Sequence, residues 1–187
     1  MSDSFRPFET MIDEGRALAL LRETLSGAED GEIFLERRRS EALVLDDQRI
    51  RSASYDASEG FGLRAVKGDV TGYAHSSEIS EAALRRMAET ARLAVGDGGG
   101  VMAPPPPGTN RRLYTDENPI DGVSFPAKVD LLREIDDWVR ALDPRVVQVS
   151  ASLAASHQEV EILRPDGLRL SDVRPMTRIY ISVMIEE

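Results

Sequence analysis

Apolar residues recur at helical spacing in three segments of the chain, and each segment predicts an amphipathic helix. The first helix is predicted at about residues 10–26, the second over Glu81–Val95, and the third from near Ser124 to Asp143. Ser80 can cap the second helix, and Gly96 suits its C-terminal end. The apolar positions are Ala17, Leu18, Leu21 and Leu25; Leu84, Met87, Ala88, Ala91, Ala94 and Val95; and Val129, Leu132, Ile135, Val139 and Leu142, widened by Leu131 and Trp138.

Between the helices, apolar and polar residues alternate with a period of two, which is typical of half-buried strands. The alternation is clearest in Val147, Val149, Ala151 and Leu153, and again in the last ten residues of the chain. Turn residues stand at 46–48, 67–69 and 165–167. The predicted strands are 32–39, 41–45, 50–55, 61–66, 70–75, 147–153, 160–164, 168–171 and 177–187.

Residues 96–110 interrupt this pattern with a run of glycines followed by four prolines, which predicts a linker or long surface loop. The loop joins two halves, 1–95 and 111–187, within a single domain spanning 1–187. Each half has a helix followed by a meander of strands, and this similarity suggests an internal duplication. The order of elements predicts an α+β fold, in which helices pack on one face of a mainly antiparallel sheet.

Composition narrows the possible partners and the compartment. The net charge is −10, and such an acidic chain disfavours both nucleic acid and anionic membranes as partners. There is no cysteine, which excludes disulfides and cysteine-bound zinc. The N-terminus has no pattern of a signal peptide, and no apolar run approaches the ~20 residues of a membrane span. We expect a cytoplasmic protein.

The candidate chemical residues are few. The two histidines, His75 and His157, lie far apart in the sequence, and we expect both to be ordinary surface or loop residues rather than metal ligands. The glycines of 60–62 predict a bulge, with close approach to a peptide or to a partner strand as the alternative. The basic run 36–41 predicts a solvated or salt-bridged strand, and 96–100 predicts a linker rather than a phosphate loop. The sequence therefore assigns no catalytic, cofactor-binding or metal-binding residue.

Several sequence blocks follow one another in a specific order and spacing. They are Ser40–Asp47 (SEALVLDD), Gly60–Ala65 (GFGLRA), Gly68–Ala74 (GDVTGYA), Glu78–Ser80 (EIS), Leu113–Thr115 (LYT), Asp172–Pro175 (DVRP) and Ser182–Glu187 (SVMIEE). In this order they resemble the N-terminal domain of the TldD branch of the TldD/PmbA zinc metallopeptidase family, also called the modulator of DNA gyrase family. The resemblance covers nearly the whole chain after about residue 30.

This resemblance implies a parent protein that hydrolyses unfolded peptides and pairs with a TldE/PmbA-type subunit or with itself. In the family, zinc is bound in the C-terminal half by a His-Glu-x-x-x-His helix and a later cysteine, and neither occurs in this sequence. The resemblance therefore implies an N-terminal, non-catalytic domain that helps to enclose the substrate cavity and to support subunit pairing. Without the catalytic C-terminal domain, we expect this chain to be inactive alone. The sequence leaves two alternatives open. The first is a stand-alone peptide- or protein-binding module of the same fold, and the second, less favoured, is an independent hydrolase that uses paired carboxylates.

Overall fold

A computed structural model describes residues 5–96 and 114–186. Two helices precede the first strand, one follows the third strand, and one precedes the last two strands. The helices are α1 (Pro7–Thr10), α2 (Glu14–Thr24), α3 (Glu81–Val95) and α4 (Phe125–Leu142). The strands are β1 (Asp30–Asp46), β2 (Arg49–Lys67), β3 (Val70–Ser76), β4 (Val146–Leu163) and β5 (Arg169–Ile185).

The five strands form one antiparallel sheet in the order β3-β2-β1-β4-β5, so the predicted α+β class is confirmed. Tight turns at the predicted positions connect β1 to β2, β2 to β3 and β4 to β5. In the first turn Asp47 and Gln48 both have positive φ, which is what a two-residue turn needs to match the twist of its strands. The strands β3 and β5 form the two edges of the sheet.

Four of the five strands are longer than the sequence pattern predicts. Three strands each join two segments that were predicted separately: β1 joins 32–39 and 41–45, β2 joins 50–55 and 61–66, and β4 joins 147–153 and 160–164. In the same way, β5 joins the predicted segment 168–171 to the last predicted strand. The alternation fails at the polar or small residues between these segments. Backbone pairing with the neighbouring strand does not depend on side-chain polarity, so the strands continue through them.

The helix boundaries follow from capping groups. The helix predicted at about residues 10–26 is α2, which begins later, at Glu14, because the side chain of Asp13 accepts a hydrogen bond from the Arg16 amide. The short helix α1, at Pro7–Thr10, is not predicted from the sequence. The second prediction is confirmed: α3 spans Glu81–Val95, Ser80 caps it by accepting from the Ala83 amide, and Gly96 ends it with a φ of +67°.

Residue contacts divide the described chain into two compact units that do not follow the two predicted halves of the sequence. Unit 1 comprises residues 5–37, 58–96 and 159–172, and unit 2 comprises 38–57, 114–158 and 173–186. Residues 97–110 of the predicted linker lie outside the described residues. The single domain, its halves and their duplication stay predictions.

In unit 1, α2 and α3 cover a core built on alternate residues of two strands. Ile33 and Leu35 of β1 and Leu63 of β2 are fully buried there, together with Leu21 of α2 and Ala91 of α3. The helix α3 also packs closely on β3, since a Cβ atom on Gly72 would lie 2.5 Å from the Ala91 carbonyl oxygen. A glycine at position 72 therefore sets the spacing between helix and strand.

In unit 2, α4 covers a smaller core whose members are Leu43, Leu45, Leu132, Ala151 and Leu153. The predicted apolar stripe of α4 is wider than the surface it buries. Leu131, Trp138 and Leu142 are exposed, whereas the charged residues Lys128 and Asp136 are buried. The prediction that Leu142 is buried and that Leu131 and Trp138 widen the buried stripe is wrong, because the sheet covers only one side of the helix.

None of the helices within residues 5–96 and 114–186 is long and apolar enough to cross a membrane.

Candidate functional site

A cleft of about 280 Å³ lies in unit 1, and we call it the glycine cleft because Gly60 and Gly62 line it. Gly62 of β2 pairs with His75 of β3, so the side chain of His75 stands beside a position that has none. The other lining residues come from β1, β2, β3 and the segment after β3; they are Phe34, Glu36, Ser58, Glu59, Phe61, Tyr73, Ser76 and Ser77.

The glycines of the cleft are explained by the close approach of the neighbouring strand. A Cβ atom on Gly60 would lie 2.5 Å from the Ser76 carbonyl oxygen, and one on Gly62 would lie 2.6 Å from the Tyr73 hydroxyl oxygen. Both distances are shorter than real Cβ contacts. The sequence predicts a bulge here, with close approach to a peptide or to a partner strand as the alternative. The register of residues 61–67 on residues 70–76 is unbroken, so the structure has no bulge there. The strand in close approach is β3 of this chain, and the Tyr73 ring fills the space over Gly62.

The two histidines have different environments. His75 is exposed on β3, and its ring stacks on that of Tyr73 with a centroid distance of 5.8 Å. His157 is buried within β4, so its predicted place on the surface or in a loop is wrong. The cause is again the length of the strand, because β4 continues through the position at which the sequence pattern predicts a turn.

The glycine cleft combines the aromatic rings of Phe34 and Tyr73, the imidazole of His75 and the carboxylates of Glu36 and Glu59. Such a lining can hold an apolar or cationic group of a ligand, because ring faces and carboxylates both attract positive charge. Period-two alternation puts Tyr73 and His75 on the same face of β3, so this pair could have been found from the sequence once the strand was predicted.

The described residues contain no group of three or more His, Cys, Asp or Glu side chains that could hold a metal ion. They therefore do not fit the zinc that the resemblance implies for the parent protein.

A second feature of unit 1 is a four-residue ion cluster, formed by Asp30, Glu32, Arg64 and Arg164. Arg64 donates to Asp30 at 2.7 Å and to Glu32 at 3.1 Å, and Arg164 donates to the same two carboxylates at 2.7 and 3.4 Å. The cluster links β1 to β2 and to the residue after β4, and the side chain of Arg164 is only 10% exposed. Partly buried Arg–carboxylate pairs of this kind fix the alignment of strands.

This cluster predicts that unit 1 becomes less stable in acid. Burial acts to raise the pKa of the Asp30 carboxyl, but the hydrogen bonds from Arg64 and Arg164 outweigh it and the pKa is lowered from 3.8. A lowered pKa in the folded state stabilises the fold above pH 3.8, and this contribution disappears as the pH falls through the folded-state pKa. We expect the free energy of unfolding, measured by chemical denaturation at several pH values between 5 and 2, to fall less on acidification in Asp30→Asn than in the wild type. An equal loss in both proteins would contradict this role.

Two of the three arginines in the basic run 36–41 form salt bridges and Arg38 is exposed, which agrees with the predicted solvated or salt-bridged strand. In unit 1, Arg37 pairs with Glu159 at 2.9 Å, and both side chains are largely buried. In unit 2, Arg39 pairs with Asp121 at 3.4 Å. The sequence could not identify these acidic partners, because they lie 122 and 82 residues away.

Comparison with known proteins gives two matches to family models, in chain order. Residues 31–95 match the PmbA/TldA metallopeptidase domain 1, and residues 118–187 match the PmbA/TldA metallopeptidase central domain. Among curated proteins, the chain is similar to the Metalloprotease TldD homolog of Haemophilus influenzae, with 34% identity over 159 residues. It is also similar to the Metalloprotease TldD homolog of Buchnera aphidicola subsp. Acyrthosiphon pisum, with 33% identity over 158 residues.

These alignments cover 83% and 84% of the chain but only 33% of each relative, so the chain spans about a third of the length of the curated relatives it matches. Solved structures share the fold. TldE from Thermococcus kodakarensis matches 92% of the chain and 40% of its own length, with a TM-score of 0.71 and 17% identity. A putative modulator of DNA gyrase from Thermotoga maritima matches 91% of the chain and 42% of its own length, with a TM-score of 0.67 and 16% identity.

Proposed function

The chain belongs to the PmbA/TldD metallopeptidase family, and we propose that it is the N-terminal, non-catalytic domain of a TldD-like zinc metallopeptidase. The observation that carries the proposal is the consecutive match of the first and central family domains to residues 31–95 and 118–187. The curated relatives are named metalloproteases and are about three times as long as the matched region. On this proposal, zinc is bound by residues of the parent protein that lie outside this chain.

The proposed contribution of the chain is to enclose the substrate cavity and to support subunit pairing. Two features are consistent with it. The glycine cleft offers an open, partly aromatic surface to a peptide. The edge strand β5 exposes large apolar side chains, including Ile179, Tyr180 and Met184, and an edge of this kind can pair with another strand. The proposed substrates are unfolded peptides, and the proposed partner is a TldE/PmbA-type subunit or a second copy. A cytoplasmic location stays a prediction from the sequence.

The test begins with the native protein in its source cells, whose intact mass and zinc content are measured. The chain alone has a mass of 20.6 kDa. We expect a mass of roughly two and a half times this value, because 158 aligned residues make up only 33% of a curated relative, together with bound zinc and activity on unfolded peptides. Removal of residues 1–187 is then expected to abolish the activity while zinc is retained.

Full activity without residues 1–187 would contradict the cavity role. A native mass of 20.6 kDa without metal would instead favour the alternative, a stand-alone binding module of the same fold.

A further inference from the structure

A second depression, of about 260 Å³, lies in unit 2, and we call it the arginine trough because Arg38 and Arg178 line it. Its lining comes from the four strands of that unit. The other lining residues are Ser40, Glu41 and Ala42 of β1, Ser54 and Asp56 of β2, Ala154, Ala155 and Ser156 of β4, and Met176 of β5.

The trough lies on the face of the sheet that α4 does not cover. Side chains alternate between faces along a strand, and Leu43 and Leu45 of β1 point into the core beneath α4. Arg38, Ser40 and Ala42 therefore point to the opposite face. The neighbouring strands contribute alternate residues in the same way, since β4 supplies Ala154 and Ser156 and β5 supplies Met176 and Arg178.

The arrangement places two guanidinium groups on either side of a small-residue floor. The strand β4 lies between β1 and β5, so the strands that carry Arg38 and Arg178 are about 10 Å apart. Between them β4 presents only the methyl group of Ala154 and the hydroxyl group of Ser156 to this face. A small anion above that floor would lie within reach of both long arginine side chains and of the Ser156 hydroxyl.

The two arginines are available for a ligand. Within residues 5–96 and 114–186, neither Arg38 nor Arg178 forms an ion pair with a carboxylate. The Arg178 guanidinium lies over the Tyr180 ring at 5.6 Å from its centroid, and this stacking orders the group while its in-plane N–H donors stay accessible.

The acidic residues of the lining reduce the positive charge but do not cancel it. The carboxylate of Glu41 accepts a hydrogen bond from Lys128 of α4, so it is already neutralised. Asp56 is the one other acidic residue of the lining, and it leaves an excess of one positive charge. In a chain with a net charge of −10, this is a local positive site in an acidic surface. It suits a small, singly charged anion rather than a polyanion.

We propose that the arginine trough binds a carboxylate group of a peptide, held between Arg38 and Arg178 above Ala154 and Ser156. The planar fork of arginine matches the two oxygens of a carboxylate. The volume of about 260 Å³ is below the roughly 300–1,000 Å³ of most small-molecule pockets, so it suits a chain end or one side chain. The choice of a peptide as the carrier of the carboxylate rests on the proposed function.

The test is a titration of the ¹⁵N-labelled 187-residue chain, followed by the amide NMR signals of Ala154 and Ser156. The probes are acetyl-Ala-Ala-Ala with a free C-terminus, the same peptide with a C-terminal amide, and acetyl-Ala-Glu-Ala amide. We expect saturable shifts with the free acid and at least about tenfold weaker binding of the amide. If the glutamyl amide also binds, the trough accepts a side-chain carboxylate; if it does not, the trough selects the chain end.

Arg38→Gln and Arg178→Gln are each expected to weaken binding of the free acid at least about tenfold. The matched control is Arg133→Gln, which removes an exposed arginine of α4 from the same unit and should leave binding unchanged. Three outcomes would each overturn the proposal. They are equal binding of the free acid and the amide, no NMR shift at millimolar peptide, and full affinity for the free acid in folded Arg38→Gln and Arg178→Gln. The titration measures neither cleavage nor metal binding, so a failure to bind the peptide would not contradict the proposed function. Conversely, a native mass of 20.6 kDa would contradict the proposed function but not the carboxylate site.

Discussion

Replacement of Lys128 by methionine is expected to lower the free energy of unfolding by about 3–5 kcal/mol, because it breaks a buried ion pair from one side. The Lys128 ammonium donates to Glu41 at 2.7 Å and to the Ile120 carbonyl at 2.6 Å. Its side chain is 4% exposed, and that of Glu41 is 13% exposed. Methionine fills a similar volume but leaves the carboxylate of Glu41 and the Ile120 carbonyl without their donor.

The measurement is urea denaturation of the wild type, of Lys128→Met, of Glu41→Gln and of the double variant. If the loss comes from an unpaired buried carboxylate, the double variant should be more stable than Lys128→Met, since the amide of glutamine carries no charge. A double variant that loses the sum of the two single losses would show that the two side chains do not act as a pair.

The sequence predicts the elements around this ion pair but not the pair itself. The third predicted helix, α4, begins at Phe125 and ends at Leu142, as the sequence pattern predicts. Its apolar spacing, the Ser124 cap and the proline after Asp143, which ends the helix, all agree. Lys128 and Glu41, however, are separated by 87 positions. Their contact depends on which face of β1 meets α4, and helical or strand periodicity in one segment cannot supply that information.

The same limit explains the differences in the sheet. Alternation of apolar and polar residues predicts the half-buried segments of the strands, because side chains on a strand have a period of two. The turn residues predict the connections between them. It does not predict that β2 continues from Arg49 to Lys67, since residues 49–59 are exposed and need no apolar face. The sequence indicates the glycine cleft only in part, because Gly60 and Gly62 suggest a close approach of backbone, whereas the ring of Tyr73 that covers Gly62 belongs to another strand. The arginine trough draws on four strands, and its position depends on the order of the sheet.

Leu132 and Leu131 are expected to differ strongly in their effect on stability, although they are adjacent in α4 and the sequence pattern assigns both to one apolar stripe. Leu132 is completely buried against the core of unit 2, whereas Leu131 is 39% exposed. Leu132→Ala should lower the free energy of unfolding by about 2–5 kcal/mol, because it removes buried methyl groups and leaves a cavity in a core of few residues. Leu131→Ala should cost less than about 1 kcal/mol, since Leu131 is exposed and is not a member of the core cluster.

The pair is a matched comparison, because both substitutions change the helix propensity by the same amount at interior positions of one helix. Urea denaturation of both variants, with the slope of the transition compared to that of the wild type, separates a loss of packing from a change in the unfolded state. If Leu131→Ala proves as costly as Leu132→Ala, something covers Leu131 in solution. Its exposed neighbours Trp138 and Leu142 would then belong to the same covered surface, because they follow Leu131 on one side of the helix. Dilution would distinguish the two causes, since a second copy that covers this surface dissociates at low protein concentration, and the excess loss for Leu131→Ala would fall with it.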